Sequence, residues 1–404
     1  MSSFAYLYVD DVEIFSWRND LDHSIMSLFS KGDIVETSGA KAIKIVKSRG
    51  LNAYDGYEDD GDDFSIMLFA RNAKELKDRL RVLGYSEEAF RSFLQEVASY
   101  DTTFSDTSDA RVNEYRAKTA KEAQGLVDTY ISNQKLSDEN NKKLLEYLEY
   151  NSGFALYYNL KDVDDSSNVT LDISEFAYEG WYDDSMLEIN EVAENIQRSS
   201  APPIVLTEGV FDRKVLKESV ELLYPHLTNY IKFLDTDYKT EGGAGMLVKT
   251  LKSFAAAGIS NRIVAIFDND TAAYNAISSL RNVSLPANYR IMHYPDIELG
   301  NNYPTLGPQG SVDMNINKLA GAIELYLGND ALLDDQGNYR PVQWTGYVGK
   351  LAKYQGELLD KSKIQDKFLD KLKAAKRDSS TIETQDWSGI KAIIESIVDN
   401  LSTL

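Results

Sequence analysis

Apolar residues fall into two textures along the chain. In the first 200 residues, Phe4 to Val9 and Val12 to Trp17 mix aromatic and β-branched residues around Asp10-Asp11, which predicts a strand pair or hairpin. From about Ala73 to Tyr150 the period lengthens to that of a helix. Leu76, Leu80 and Leu83 share one face, Phe90, Phe93, Leu94 and Val97 another, and Leu144, Leu145 and Leu148 a third. This half is expected to be a mostly helical domain with a small β start. Pro202-Pro203 then interrupts the chain, and all eight prolines lie at or beyond it. Because the residue before a proline avoids helical geometry, a domain boundary is placed near residue 200.

After the boundary, short β runs alternate with helical stretches. Ile204 to Thr207, Tyr230 to Leu234, Arg262 to Phe267 and Tyr289 to His293 are the expected strands, with helices over 211–223, 245–257 and 271–280 between them. Such alternation predicts βαβ units and a parallel sheet. Gly258 stands where a helix C-terminal glycine belongs. Two further helical stretches, 316–327 and 349–375, are expected as an appendage, so the second domain is taken as 201–404. No repeat of 20 to 50 residues is present, which excludes a solenoid.

Composition narrows the chemistry. The 404 residues hold 43 Lys+Arg and 64 Asp+Glu, a formal net charge of −21, with no cysteine and three histidines. Disulfides, thiolate metal sites and cysteine nucleophiles are thereby excluded. Apolar runs fall far short of the ~20 residues of a membrane span, and no basic-then-apolar leader opens the chain, so a soluble, cytoplasmic protein is expected. The acidity argues against a plain nucleic-acid coat, since phosphate affinity comes from Lys and Arg. Basic residues are, however, concentrated locally: 350–377 holds nine Lys/Arg against four Asp/Glu, and Lys41, Lys44, Lys47 and Arg49 form a second basic stretch. Lys350, Lys353, Lys363 and Lys367 are the candidates for a nucleic-acid track, against the plainer reading of a solvated amphipathic helix.

In an open parallel sheet, functional groups collect outside the carboxyl ends of the strands. The first β run ends in Thr207-Glu208-Gly209-Val210-Phe211-Asp212, and the third in Phe267-Asp268-Asn269-Asp270. Alternate residues share a face in extended chain, which lets Asp268 and Asp270 address one hard cation with Glu208 beside them. Converging carboxylates repel, and a bound Mg²⁺ or Mn²⁺ removes that penalty. Singly, each acid is explained by helix capping or a solvated loop; Asp212, a further candidate metal ligand, also sits where a first-turn acid is ordinary.

The ordered pair of motifs, Glu208-Gly-Val-Phe-Asp212 and Asp268-Asn-Asp270, each after a hydrophobic strand, resembles the Toprim domain of type IA and type II topoisomerases, DnaG-type primases, OLD-type nucleases and RecR proteins. The resemblance covers roughly residues 203 to 295. It implies an α/β Toprim fold, a Rossmann-like parallel sheet, with Glu208 as general acid/base or ligand and Asp268 and Asp270 as metal ligands. Gly242-Gly243-Ala244-Gly245 resembles the turn that closes such sites; it lacks the Gly-Lys-Ser/Thr of a phosphate loop, so ATP binding by this chain is not expected. Ile323-Glu324-Leu325-Tyr326-Leu327 resembles an element of OLD-type nucleases that adds a glutamate to a second metal position, with Leu325 standing where those proteins usually carry Asn. Those nucleases also place a lysine late in the domain near the scissile phosphate, for which Lys361 and Lys363 are candidates. Over nearly the whole length the layout resembles bacterial HEPN/Toprim-associated proteins, which implies a role in conflict systems such as phage defence.

Three further patterns are weaker. Arg18 and His23 fit the Arg-x4-His spacing of HEPN ribonucleases but precede the helices, where a surface pair is the better reading. Asp55 to Asp63 carries six acids in nine residues but fails the EF-hand template. Two function classes remain. A divalent-metal-dependent nuclease acting on DNA or RNA is the leading one; a non-catalytic Toprim scaffold that recruits or regulates an ATPase or toxin is the other. A topoisomerase or primase would need domains absent here. Any ATPase or other defence-system subunit would be a separate protein, no membrane partner is expected, and oligomerisation is left open.

Overall fold

A computed structural model of the chain describes residues 4–18, 25, 28–48, 65–100, 121–122, 124–132, 136–148, 151–178, 202–234, 242–281, 283–308 and 310–404. The chain forms two compact units, Met1–Ser200 with Thr403 and Ala201–Ser402 with Leu404. His23, Arg49 and the acidic run 55–63 lie outside the described residues.

In the first unit, strands β1 (Phe4–Val9) and β2 (Val12–Arg18) form the expected hairpin. Asp10 and Asp11 both adopt positive φ, 47° and 66°, the paired left-handed geometry of a tight hairpin turn that aspartate tolerates. The β content is not confined to this start, which corrects the expectation. Strands β3 (Ile34–Ser38), β4 (Ser65–Asn72) and β5 (Asn168–Asp172) complete a five-stranded antiparallel sheet in the order β2-β1-β5-β4-β3. Helices α1 (Gly39–Ser48), α2 (Ala73–Leu83), α3 (Glu87–Tyr100), α4 (Asp138–Leu148), α5 (Ser152–Leu160) and α6 (Ser174–Tyr178) accompany it. Ala5, Leu7, Leu171, Leu76, Leu80 and Leu156 share one core across sheet and helices. Asn72 caps α2 by accepting from the Glu75 N–H, and Gly84 closes it at φ 92°. Beneath this lies a buried ion pair in which Asp33 accepts from Arg79 at 2.5 Å and also from Arg71. Lys41, Lys44 and Lys47 stand on exposed positions of α1.

The second unit is built on a parallel sheet of β6 (Ile204–Thr207), β7 (Lys232–Phe233), β8 (Ile263–Phe267) and a further strand, Tyr289–His293, in the order Tyr289–His293, β8, β6, β7. Helices α7 (Val210–Leu223), α8 (Ala244–Ala256) and α9 (Thr271–Ile277) make the crossovers. All five residues of β8 are buried, as a central parallel strand covered on both faces requires. In chain order the strands run 2-1-3-4, so the winding reverses between β6 and β8. A crevice opens outside the carboxyl ends of the strands at such a reversal.

The remainder departs from the expected helices. After the two-residue strand β9 (Asn269–Asp270), the strand Tyr289–His293 is β10, and β11 (Tyr303–Gly307), β12 (Gly310–Met314), β14 (Val342–Val348) and β15 (Lys353–Leu358) form a second sheet in the order β12-β11-β14-β15. β13 (Ala320–Gly321) pairs antiparallel with β9. The expected helix 316–327 is therefore a two-residue strand and a 3-10 turn, Ile323–Tyr326. Gly321 explains the close pairing, since a Cβ there would sit 2.8 Å from the Asn269 carbonyl oxygen. Likewise the stretch 349–375 begins in the β14–β15 hairpin, and only α11 (Lys361–Arg377, after the short α10, Asn329–Leu332) is helical. A last helix, α12 (Ser388–Ser402), buries Ile390, Ile393, Ile394, Ile397 and Leu401. Lys371 ties α11 to its neighbours, donating to the Leu327 carbonyl at 2.9 Å and to Asp330 at 2.8 Å and lying 4.4 Å from the centre of the Trp387 ring.

Candidate metal centre

The reversal in strand order places the ends of β6 and β8 side by side, and each ends in an acid. Glu208 leaves β6 and accepts through Oε1 the backbone N–H of Asp268, at 2.9 Å. A second backbone bond reaches its carboxylate from Ala244, the first residue of α8. The glycine run lies against this residue: the Gly243 N–H donates to the Glu208 carbonyl at 3.0 Å, and a Cβ on Gly242 would come within 3.1 Å of the same oxygen. A side chain at Gly242 would crowd that approach and oblige the Glu208 carbonyl to shift by a few tenths of an ångström.

Asp212, in the first turn of α7, accepts the Gly209 N–H through Oδ2 at 2.9 Å and is 8% exposed. Asp270 caps α9, taking the Ala273 N–H on Oδ1 at 2.8 Å, while Oδ2 accepts from the Gln355 side chain at 2.8 Å. Glu324, on the 3-10 turn, is 4% exposed; its Oε1 accepts from Gln365 of α11 at 2.7 Å.

These acids share one field. Burial pushes Glu208 up to about 7, and the charges of Asp270 and Asp212 add to it, against the pull of the two N–H donors. Burial likewise lifts Asp212 to about 6, helped by Glu324 and opposed by the Gly209 N–H and the Lys361 charge. Asp268 is driven well above the carboxylate range, by burial first and then by Asp212, Glu208, Asp270 and Glu324. Two oxygens, Asp268 Oδ1 and Glu324 Oε2, are shut off from solvent and have no hydrogen-bond partner. A buried acceptor left in this way costs about 1–3 kcal/mol, a cost that a hard, oxygen-preferring divalent cation would offset. Among the described residues no three such side chains converge as a ready chelate; Glu208, Asp212, Asp270 and one oxygen of Glu324 are instead held by the local hydrogen bonds just given.

Glu208, Asp212, Asp268, Asp270, Glu324 and Lys361 are thus linked through their charges, with Lys361 at the start of α11 acting on Asp212. The other lysines are elsewhere. Lys363 pairs with Asp360 at 3.1 Å, and Lys367 donates to the Leu333 carbonyl at 2.8 Å and faces Asp335 at 3.4 Å. Lys350 and Lys353 lie on the β14–β15 hairpin rather than on a helix, with Lys353 5.6 Å from the Tyr274 ring centre.

Several members of the site carry no motif. Tyr294, fully enclosed, has its phenol held protonated by burial and by the charges of Asp212, Asp268 and Glu208. His293 ends β10, with Nδ1 2.8 Å from the Asp268 carbonyl oxygen and its ring stacked on Tyr274 at 3.8 Å; burial lowers its pKa. Gln355 and Gln365 hold acids 85 and 41 residues away in the chain. Position at the end of β10 and directly after it could have flagged His293 and Tyr294; nothing local could flag the glutamines.

The second unit is an α/β unit whose acids gather at the reversal of a parallel sheet. Residues 1–200 match the family HEPN/Toprim N-terminal domain 1, which supports a HEPN/Toprim-associated protein. No curated protein and no solved structure matches the chain. Among the described residues no helix is long and apolar enough to cross a membrane.

Proposed function

We propose that the second unit is a Toprim domain of the OLD-nuclease type, and that the chain is a divalent-metal-dependent nuclease serving as the effector of a bacterial phage-defence or conflict system. The observation that carries this reading is the set of buried, mutually repelling acids at the switch point, with Asp268 Oδ1 and Glu324 Oε2 lacking any protein partner. Asp268, Glu324, Asp212 and Asp270 are the residues to hold Mg²⁺ or Mn²⁺. Bound there, the ion would supply Lewis-acid polarisation of a phosphodiester and a more acidic water.

The chain's own groups have separate tasks. Glu208, brought near neutrality, suits proton transfer at physiological pH, because a general base works best with a pKa close to the operating value. Lys361, placed where its charge acts on Asp212, supplies positive charge against the growing negative charge of the phosphoryl oxygens. Asp270, fixed by Ala273 and Gln355, is positioned before any substrate arrives.

Purified full-length protein is expected to cut DNA or RNA with Mg²⁺ or Mn²⁺ and not with EDTA. Cleavage unchanged by the Glu208→Ala, Asp268→Ala double substitution would sink the reading. The competing reading is a non-catalytic Toprim scaffold for a partner ATPase or toxin, since a fold alone does not guarantee chemistry. Calorimetry separates the two: no uptake of Mg²⁺ or Mn²⁺ favours the scaffold.

A further inference from the structure

The hairpin that holds Asp270 also presents a row of rings. Tyr347 lies opposite Tyr354 and Trp344 opposite Gly356 in the β14–β15 register, so all three rings stand on one face of the sheet. Their centres are 6.0 Å apart for Trp344 and Tyr354 and 5.1 Å for Tyr347 and Tyr354. The indole spreads over glycines: a Cβ at Gly356 would lie 3.0 Å from Trp344 Cε3, and one at Gly307 3.7 Å from Cδ1. Tyr347 and Tyr354 are 57% and 58% exposed. Grouped exposed rings of this kind mark a binding surface rather than ordinary protein exterior.

Charge and position say what binds. Between residues 342 and 358 the charged side chains are Lys350, Lys353 and Glu357, a positive segment in a chain of −21. The same strand is joined to the acid centre: Gln355 bonds Asp270 and accepts the Ala272 N–H at 2.7 Å, and the Thr271 hydroxyl donates to the Tyr354 carbonyl at 2.6 Å. Lys353 alternates with Tyr354 and stands on the other face, 5.6 Å from the Tyr274 ring centre, while Lys350 is exposed at the hairpin turn. Open aromatic faces with a cation at their edge are the arrangement that binds single strands, whose bases have free faces to stack. Paired bases in a duplex do not offer those faces.

We propose that the β14–β15 hairpin is a stacking platform for unpaired nucleobases, with Lys350, exposed at the hairpin turn, on the backbone phosphates, so that the substrate is single-stranded DNA or RNA or a single-stranded stretch of either. This deepens the nuclease reading and rests on it for the claim that the bound strand is cut; binding itself is tested without cleavage.

The test is fluorescence anisotropy of full-length protein in EDTA with labelled oligothymidylate, oligouridylate and a duplex of the same length. At least one of the single strands is expected to bind more tightly than the duplex and to quench indole fluorescence, a quench reduced in Trp344→Phe. A Tyr347→Ala, Tyr354→Ala variant is expected to lose about 10-fold or more in affinity, while Tyr347→Phe, Tyr354→Phe, which keeps the rings, retains it. Undiminished binding by the alanine variant, or preference for the duplex, overturns the proposal. So does a protein that binds no oligonucleotide but changes from dimer to monomer by light scattering in the alanine variant, which would make the rings a protein interface. If ring-dependent binding of single strands occurs without cleavage in Mg²⁺ or Mn²⁺, the platform stands and the nuclease reading falls.

Discussion

Glu208 and Asp268 are bound to each other's strands by one hydrogen bond and pushed apart by their charges. The Asp268 N–H stabilises the ionised Glu208, yet burial and the neighbouring acids outweigh it and leave its pKa near 7. Removing a charge while keeping the shape therefore relieves repulsion in the absence of a cation. We expect Glu208→Gln and Asp268→Asn, each isosteric, to melt higher than the unsubstituted protein at pH 8 in EDTA, by about 3 °C or more for each kcal/mol relieved. Asp268→Asn is expected to lose most of the rise in melting temperature on adding Mn²⁺, and both variants to lose cleavage. A melting temperature equal to or below that of the unsubstituted protein in EDTA would show that these acids do not strain the fold.

Elements built from long hydrophobic runs were legible from the sequence, and elements made by distant pairing were not. The strands Ile204–Thr207, Ile263–Phe267 and Tyr289–His293 sit where β-branched runs predict them, and the acids at their ends could be named from order alone. β13 could not, because two residues, Ala320 and Gly321, become a strand only when β9 lies alongside. β15 reads Lys-Tyr-Gln-Gly-Glu-Leu, too polar and too close to a lysine-rich helix to stand out, although its pairing with β14 brings Gln355 to Asp270. In the first unit β3 and β5 are five residues each and reach their partners across the fold, so a helical period dominated the pattern. The same logic gives a test at Gly389. A Cβ there would lie 2.5 Å from the Tyr326 carbonyl oxygen and 2.7 Å from its Cα, so α12 approaches the Glu324 turn backbone to backbone. Gly389→Ala is expected to cost about 1–3 kcal/mol, read by urea unfolding, and to weaken Mn²⁺ binding by displacing Glu324. Unchanged stability would mean that α12 does not set the position of this turn.

At the scale of the whole molecule, the net charge of −21 divides into acids that favour folding and acids that oppose it. Asp33 belongs to the first kind: burial raises its pKa, but Arg79 and the Ser30 and Arg71 bonds lower it further, so its contribution is present above its unfolded value near 3.8 and is lost as pH falls through the lowered one. Glu208 and Asp212 belong to the second. Their folded values, about 7 and about 6, exceed the ordinary carboxyl values of 4.5 and 3.8, so the folded state binds more protons than the unfolded one. Stability from these groups is full below about pH 4 and declines as pH rises to about 7. In EDTA the melting temperature is therefore expected to fall between pH 5 and pH 8. Mg²⁺ or Mn²⁺ binds the ionised form, so its stabilisation should be small at pH 5 and large at pH 8, reaching about 2.7 kcal/mol when the ion is a hundredfold above its Kd. Differential scanning calorimetry across this range, with and without Mn²⁺, checks both slopes. A melting temperature that rises with pH in EDTA, or a Mn²⁺ effect independent of pH, would separate the buried acids from cation binding and leave their enclosure without a chemical purpose.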